Sequence, residues 1–174
     1  MSHPCILVPI DFSSPSDEMV RLVAAMAPEH EVCLVHVVED QTVRFAQDAG
    51  FGTPDQVGHR LMGDAHRRLQ RIAVQCAPFR HARVVVILGD ASKEIPRIVR
   101  ELGVMLVVLL SRSSVVAGTV RPTIAEKLIR EVTVPVLCIP AESLPRAKPE
   151  TSSQNVSPAD LSREWERSAE GTVA

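Results

Sequence analysis

The chain contains no tyrosine and few aromatic side chains of any kind, 3% in all with a single tryptophan. Single-stranded nucleic acids are held by stacking rings along a basic groove, and this chain has neither the rings nor a basic excess, its net charge being -2. Nucleic acid and anionic lipid are therefore not expected partners. No apolar run approaches the roughly 18 residues that cross a bilayer. The first residues, MSHPCILVPID, lack a charged segment ahead of a cleavable apolar one. No membrane segment is expected, and the cytoplasm is the expected location. The four cysteines, Cys5, Cys33, Cys76 and Cys138, sit in apolar runs without C-x-x-C spacing, which points to buried thiols rather than a zinc site or redox pair. Also missing are a G-x-x-x-x-G-K-[ST] phosphate loop, a catalytic triad and a paired-acid site. No catalytic residue, metal ligand or enzymatic activity is assigned on this basis.

What is present is a regular alternation of short apolar runs and amphipathic segments. At 174 residues the chain suits one core, read as a domain over 1–141 and a tail over 142–174. Cys5–Ile10, Val32–Val38, Arg83–Leu88, Val104–Leu110 and Pro135–Pro140 are continuous apolar runs, the mark of strands buried on both faces. Val104–Leu110, the most apolar, is expected near the middle of the sheet. The run bracketed by Pro135 and Pro140 is expected at an edge, because proline cannot donate to a ladder.

Between the runs, Met19, Leu22, Val23 and Met26 recur at helical spacing behind Ser14 and Pro15, a cap and a first helical residue. Leu61, Ala65, Leu69, Ile72, Ala73 and Cys76 mark a second helix. Ile95, Ile98, Val99 and Leu102 mark a third, with Ser92 as cap and Gly103 as terminator. Ala125, Leu128, Ile129 and Val132 mark a fourth. The stretch from Glu39 to Gly58 shows no strong period and reads as a mobile loop. The tail is rich in Ser, Pro, Glu and Arg, a composition of disorder, with one short helical segment near Asp160–Arg167. Strands alternating with helices imply right-handed crossovers and an α/β fold: a doubly wound, five-stranded parallel sheet with helices on both faces. Ligands of such sheets lie beyond the strand carboxyl ends, which directs attention to Asp11–Ser14, Val37–Asp40, Gly89–Ser92 and Ser111–Thr123.

Several segments together resemble the universal stress protein family. Ile6-Leu7-Val8-Pro9-Ile10-Asp11-Phe12-Ser13 is similar to its first strand and turn, and Leu34-Val35-His36-Val37-Val38 to its second strand. Leu88-Gly89-Asp90 with Glu94-Ile95 is similar to the exit of its third strand. Thr123-Ile124-Ala125-Glu126-Lys127-Leu128, leading to Val134-Pro135-Val136-Leu137, is similar to its last helix and strand. The resemblance covers roughly residues 4 to 140 and implies the Rossmann-like fold shared with the adenine nucleotide alpha hydrolases.

It also implies an adenosine site at Pro9, Asp11 and Val37. The family's phosphate loop, G-x-x-G, nine residues, then G-[ST], uses glycine so that backbone N–H groups approach the anion. Here the last pair falls on Pro122-Thr123, and the first glycines fall on Leu110 and Ser113 or on Leu109 and Arg112. Proline removes a donor and leucine adds bulk. Ser111, Arg112, Ser113 and Thr123 are left as the polar groups of a degenerate ATP site. ATP is thus a possible ligand, and no cofactor is assigned.

The resemblance further implies a homodimer in which the last strand, through Val136, Leu137, Cys138 and Ile139, pairs with its copy. His36 reads as a hydrogen-bonded core residue, and His59 and His66 as surface residues whose separation is too long for an i, i+4 ligand pair. Three functions follow: a non-catalytic stress-response dimer with protein partners, an adenine-nucleotide switch, and an enzyme acting on an adenine nucleotide.

Overall fold

The computed structural model describes residues 5–13, 15–76, 82–111, 115–116, 119–120 and 124–145. The tail from residue 146 onward, including the segment near Asp160–Arg167, lies outside the described residues. The five apolar runs form strands: β1 (Cys5–Pro9), β2 (Glu31–Glu39), β3 (Ala82–Gly89), β4 (Val104–Ser111) and, after the short strands β5 (Val115–Val116) and β6 (Thr119–Val120), β7 (Val136–Pro140). The helices are α1 (Ser16–Met26), α2 (Asp40–Asp48), α3 (Pro54–Cys76), α4 (Ala91–Leu102) and α5 (Ile124–Glu131).

The five long strands form one parallel sheet in the order β3-β2-β1-β4-β7. Period-2 alternation divides their side chains between two cores. Ile6, Val8, Val32, Leu34 and Val108 pack with α1 and α3 on one face. Cys5, Leu7, Cys33, Val35 and Val107 pack with α4 and α5 on the other. Both faces being covered explains why each run is apolar throughout. Each fully buried Val or Leu here contributes roughly 1.5–3 kcal/mol.

The middle of the sheet is β1, not β4. β4 is interior, flanked by β1 and by the edge strand β7, so the most apolar run is one position off centre. Its register against β1 slips between Val104 and Leu106, leaving Met105 without a partner. The slip puts Val104 on the same face as Val107 and leaves Met105 41% exposed; a one-residue bulge is the device that resets the alternation.

The segment read as a loop over Glu39–Gly58 is mostly helical: α2 and the first turn of α3 lie inside it. The helical period is weak because α2 turns only Val43 fully inward, against Val57 and Ala65 of α3, while Phe45 is 75% exposed. The start of α3 does carry a signal. In Thr53-Pro54-Asp55-Gln56, Gln56 N–H donates to Thr53 Oγ1 at 3.4 Å and Thr53 N–H donates to Gln56 Oε1 at 3.2 Å. That is a reciprocal cap with proline at the first helical position.

Other boundaries shift by small amounts. Pro15 precedes α1 rather than opening it, and the buried apolar residues of α1 are Met19, Val20 and Val23, with Met26 exposed. On α5, Ile129 is likewise exposed, Ala125 and Leu128 being buried. The cap of α4 is Asp90, whose Oδ1 accepts from Ser92 N–H at 2.8 Å and from Ser92 Oγ at 2.7 Å. These bonds hold the Asp90 carboxyl below its ordinary range. Gly103 ends the helix in the left-handed conformation, φ 61.

Cys5 and Cys33 are buried free thiols and Cys138 is half-buried. Burial pushes Cys33 up to about 12 and Cys5 and Cys138 upward as well, which makes them poor nucleophiles. No described helix is long and apolar enough to cross a membrane.

Candidate functional site

Strand order reverses between β1 and β4, because α1 and α3 carry the chain to one side of β1 and α4 carries it back to the other. Beyond the carboxyl ends of the strands at this point is an open cleft of about 580 Å³, a size suited to a small-molecule ligand. Pro9, Asp11 and Val37 all line it. Leu110 also lines it, and Ser111 is the half-buried last residue of β4. Arg112, Ser113, Pro122 and Thr123 lie outside the described residues, so the serine-arginine turn has no described geometry. The described parts of that connection include an antiparallel pairing of β5 with β6, Val115 opposite Val120.

The turn after β1 is built around Asp11. Its Oδ1 accepts from Ser13 N–H at 2.9 Å, from the Ser13 hydroxyl and from Ser16 Oγ at 3.1 Å. Ser16, only 2% exposed, thereby satisfies its hydroxyl at the first residue of α1. A carboxylate gathering local donors is the means by which a short polar residue fixes a turn. Ile10 is held from both sides: its N–H donates to the Val35 carbonyl at 2.8 Å, and its carbonyl accepts from His36 Nδ1 at 2.7 Å. Because a carbonyl only accepts, the His36 proton sits on Nδ1 and Nε2 is the acceptor nitrogen. Burial pushes the His36 imidazole below its ordinary value, the Ile10 carbonyl opposing, so the ring is neutral at pH 7. His36 is thus a hydrogen-bonded residue of the sheet, as read from sequence.

Two residues of the cleft take part in a contact that the sequence does not show. Phe12 takes a positive φ of 57, a conformation uncommon for a side-chain-bearing residue and costly for a bulky one. Its ring lies 4.3 Å from the His36 ring, tilted by 39°. On Phe12 lies the Arg68 guanidinium, its carbon 4.1 Å from the ring centroid. Arg68 comes from the middle of α3, and in sequence it is one of several arginines on a charged helix. Only the packing of α3 beside β2 and β3 brings it to the cleft.

His59 Nδ1 is bonded to the Asp55 carbonyl at 2.9 Å within α3, and no group of metal-ligating side chains occurs among the described residues. At the far edge of the sheet, Val136, Leu137 and Cys138 are half-buried and Ile139 is buried in the core. β7 pairs with β4 on one side only.

An open parallel sheet with helices on both faces and a cleft at its switch point defines a doubly wound α/β protein of the Rossmann-like class. The model of the Universal stress protein family matches residues 5–140, and the chain belongs to that family. No curated protein matches the sequence. Solved structures match by fold. The hypothetical protein MJ0577 is 19% identical with a TM-score of 0.65, covering 80% of this chain and 97% of that one. Universal stress protein UspA from Lactobacillus plantarum is 16% identical, TM-score 0.56, covering 80% and 99%. A universal stress protein in complex with cAMP is 14% identical, TM-score 0.57, covering 81% and 99%. At such identities the likeness concerns the fold.

Proposed function

We propose that the protein is a non-catalytic universal stress protein that acts in the cytoplasm as a homodimer through contacts with other proteins, and that it does not hold ATP in the family's usual manner. The observation that carries this reading is the course of β4. The strand runs on through Leu110 and Ser111, which pair with Ile139 and Pro140 of β7, at the point where the family's glycine loop begins. Leu110, at a position matched to a glycine of that loop, packs its side chain against the core and into the wall of the cleft, taking space that glycine leaves open to an anion. Pro122 removes a further N–H donor from the second half of the loop. Calorimetric titration with ATP and magnesium is expected to give no binding at micromolar affinity; a micromolar or tighter isotherm would overturn the reading.

A second reading is favoured by one observation: Pro9, Asp11 and Val37 share a single cleft. In this reading the protein keeps the adenosine side of the site and acts as an adenine-nucleotide switch. Asp11→Ala is then expected to weaken adenosine binding by about tenfold or more, the ordinary consequence of deleting a charged hydrogen-bonding group. Asp11→Asn keeps an acceptor for the Ser13 and Ser16 donors and separates loss of the turn from loss of a ligand contact. Unchanged affinity in both variants would show that Asp11 is not part of the pocket.

A further inference from the structure

We propose that Arg68 is the anion contact of the cleft, and that it directs a nucleoside carrying a single phosphate toward α3 rather than toward the β4–α5 connection. The proposal rests on the second reading above. Among the described residues lining the cleft, Arg68 is the one Lys or Arg, beside the carboxylates Asp11, Glu39 and Asp64. Those carboxylates have partners of their own. Asp11 holds Ser13 and Ser16, Asp64 pairs with Arg67, and Glu39 reaches Ala91 N–H, the first donor of α4, at 3.5 Å. Arg68 forms no ion pair with any described residue.

The geometry also prepares the guanidinium to donate. With its carbon 4.1 Å from the Phe12 ring centroid, the guanidinium is held by an attraction to the ring that uses none of its N–H donors, and arginine recognises phosphate through those donors. Phe12 is a fixed support. Its backbone is in the left-handed region, and its ring rests on His36 at 4.3 Å. His36 is in turn tied to the Ile10 carbonyl at 2.7 Å. Strain at such a position is the kind that functional sites retain. A neutral His36 adds no second cation, and three carboxylates border the cleft. One phosphate therefore suits the site better than three, whose added charge would face Asp11, Glu39 and Asp64.

The test is calorimetric titration of the full chain with adenosine, adenosine monophosphate and ATP, in wild type, Arg68→Met and Arg68→Lys. Methionine keeps an apolar stem over Phe12, and thermal unfolding of each variant checks the fold. The wild type is expected to prefer the monophosphate over adenosine by about tenfold or more, with ATP no tighter than the monophosphate. Arg68→Met is expected to bring that ratio close to one, and Arg68→Lys to restore part of it. Adenosine binding with a ratio near one in the wild type, a ratio that survives Arg68→Met, or ATP binding tighter than the monophosphate would overturn the proposal while leaving the adenosine pocket standing. Failure of both adenosine and its monophosphate to bind would overturn the pocket itself, and the proposal with it.

Discussion

Leu7→Ala is expected to destabilise the protein by about 3–5 kcal/mol, enough to remove much of the stability of a domain this size. Leu7 is fully buried on β1, the strand with neighbours on both sides, and its side chain packs among Val35, Val107 and the residues of α4. A cavity there is bordered by paired backbone above and below, so the surroundings have little freedom to collapse into it. The measurement is the denaturant midpoint at unchanged slope. Met105→Ala is the internal contrast. Met105 is as apolar in sequence, but the bulge turns it outward, and a change there should stay within about 0.5 kcal/mol. Equal losses at the two positions would contradict the register of β1 against β4.

Placing Lys at both Val136 and Cys138 is expected to convert the proposed dimer into a monomer, seen as a halving of mass in sedimentation or light scattering. The two residues lie two apart on β7 and project to the α5 face, where each is half-buried. A lysine stem can run along apolar surface while its ammonium reaches water, so the fold should persist, as circular dichroism would check. Edge strands carry lysine in other proteins because a row of cations blocks pairing with a second strand. Apolar residues at Val136, Leu137 and Cys138 give β7 no such protection. A wild-type chain already monomeric at micromolar concentration, or a double variant that stays dimeric, would remove β7 from the interface.

The limits of the sequence reading follow from particular residues. The cap at Thr53 and Gln56 is legible, since a threonine followed three residues later by glutamine, with proline between, is a helix start by local chemistry alone, even though the segment before it lacks a period. α2 was not legible. Nine residues with one fully buried side chain form a helix only because α3 offers Val57 and Ala65 to cover Val43, and tertiary packing of that kind outweighs weak local preference.

Of the residues lining the cleft, the stretches that begin at Asp11 and Val37 are legible as strand ends, where a parallel sheet places its ligands, whereas an adenosine role for Pro9, Asp11 and Val37 is implied only by the family resemblance. Phe12 falls within the stretch Asp11–Ser14, but its contact with Arg68 is not legible, because neither a positive φ nor a contact between residues 56 positions apart has any periodic trace. The alternation of buried strands with amphipathic helices, the parallel sheet and the departure of Leu110 and Pro122 from the family's glycine loop were determined by the sequence itself, since each is a property of neighbouring residues. The central place of β1, the bulge at Met105, and the meeting of Arg68 with Phe12 and His36 were decided by the tertiary structure alone. They depend on which distant segments share a face, and that is settled only when both cores close.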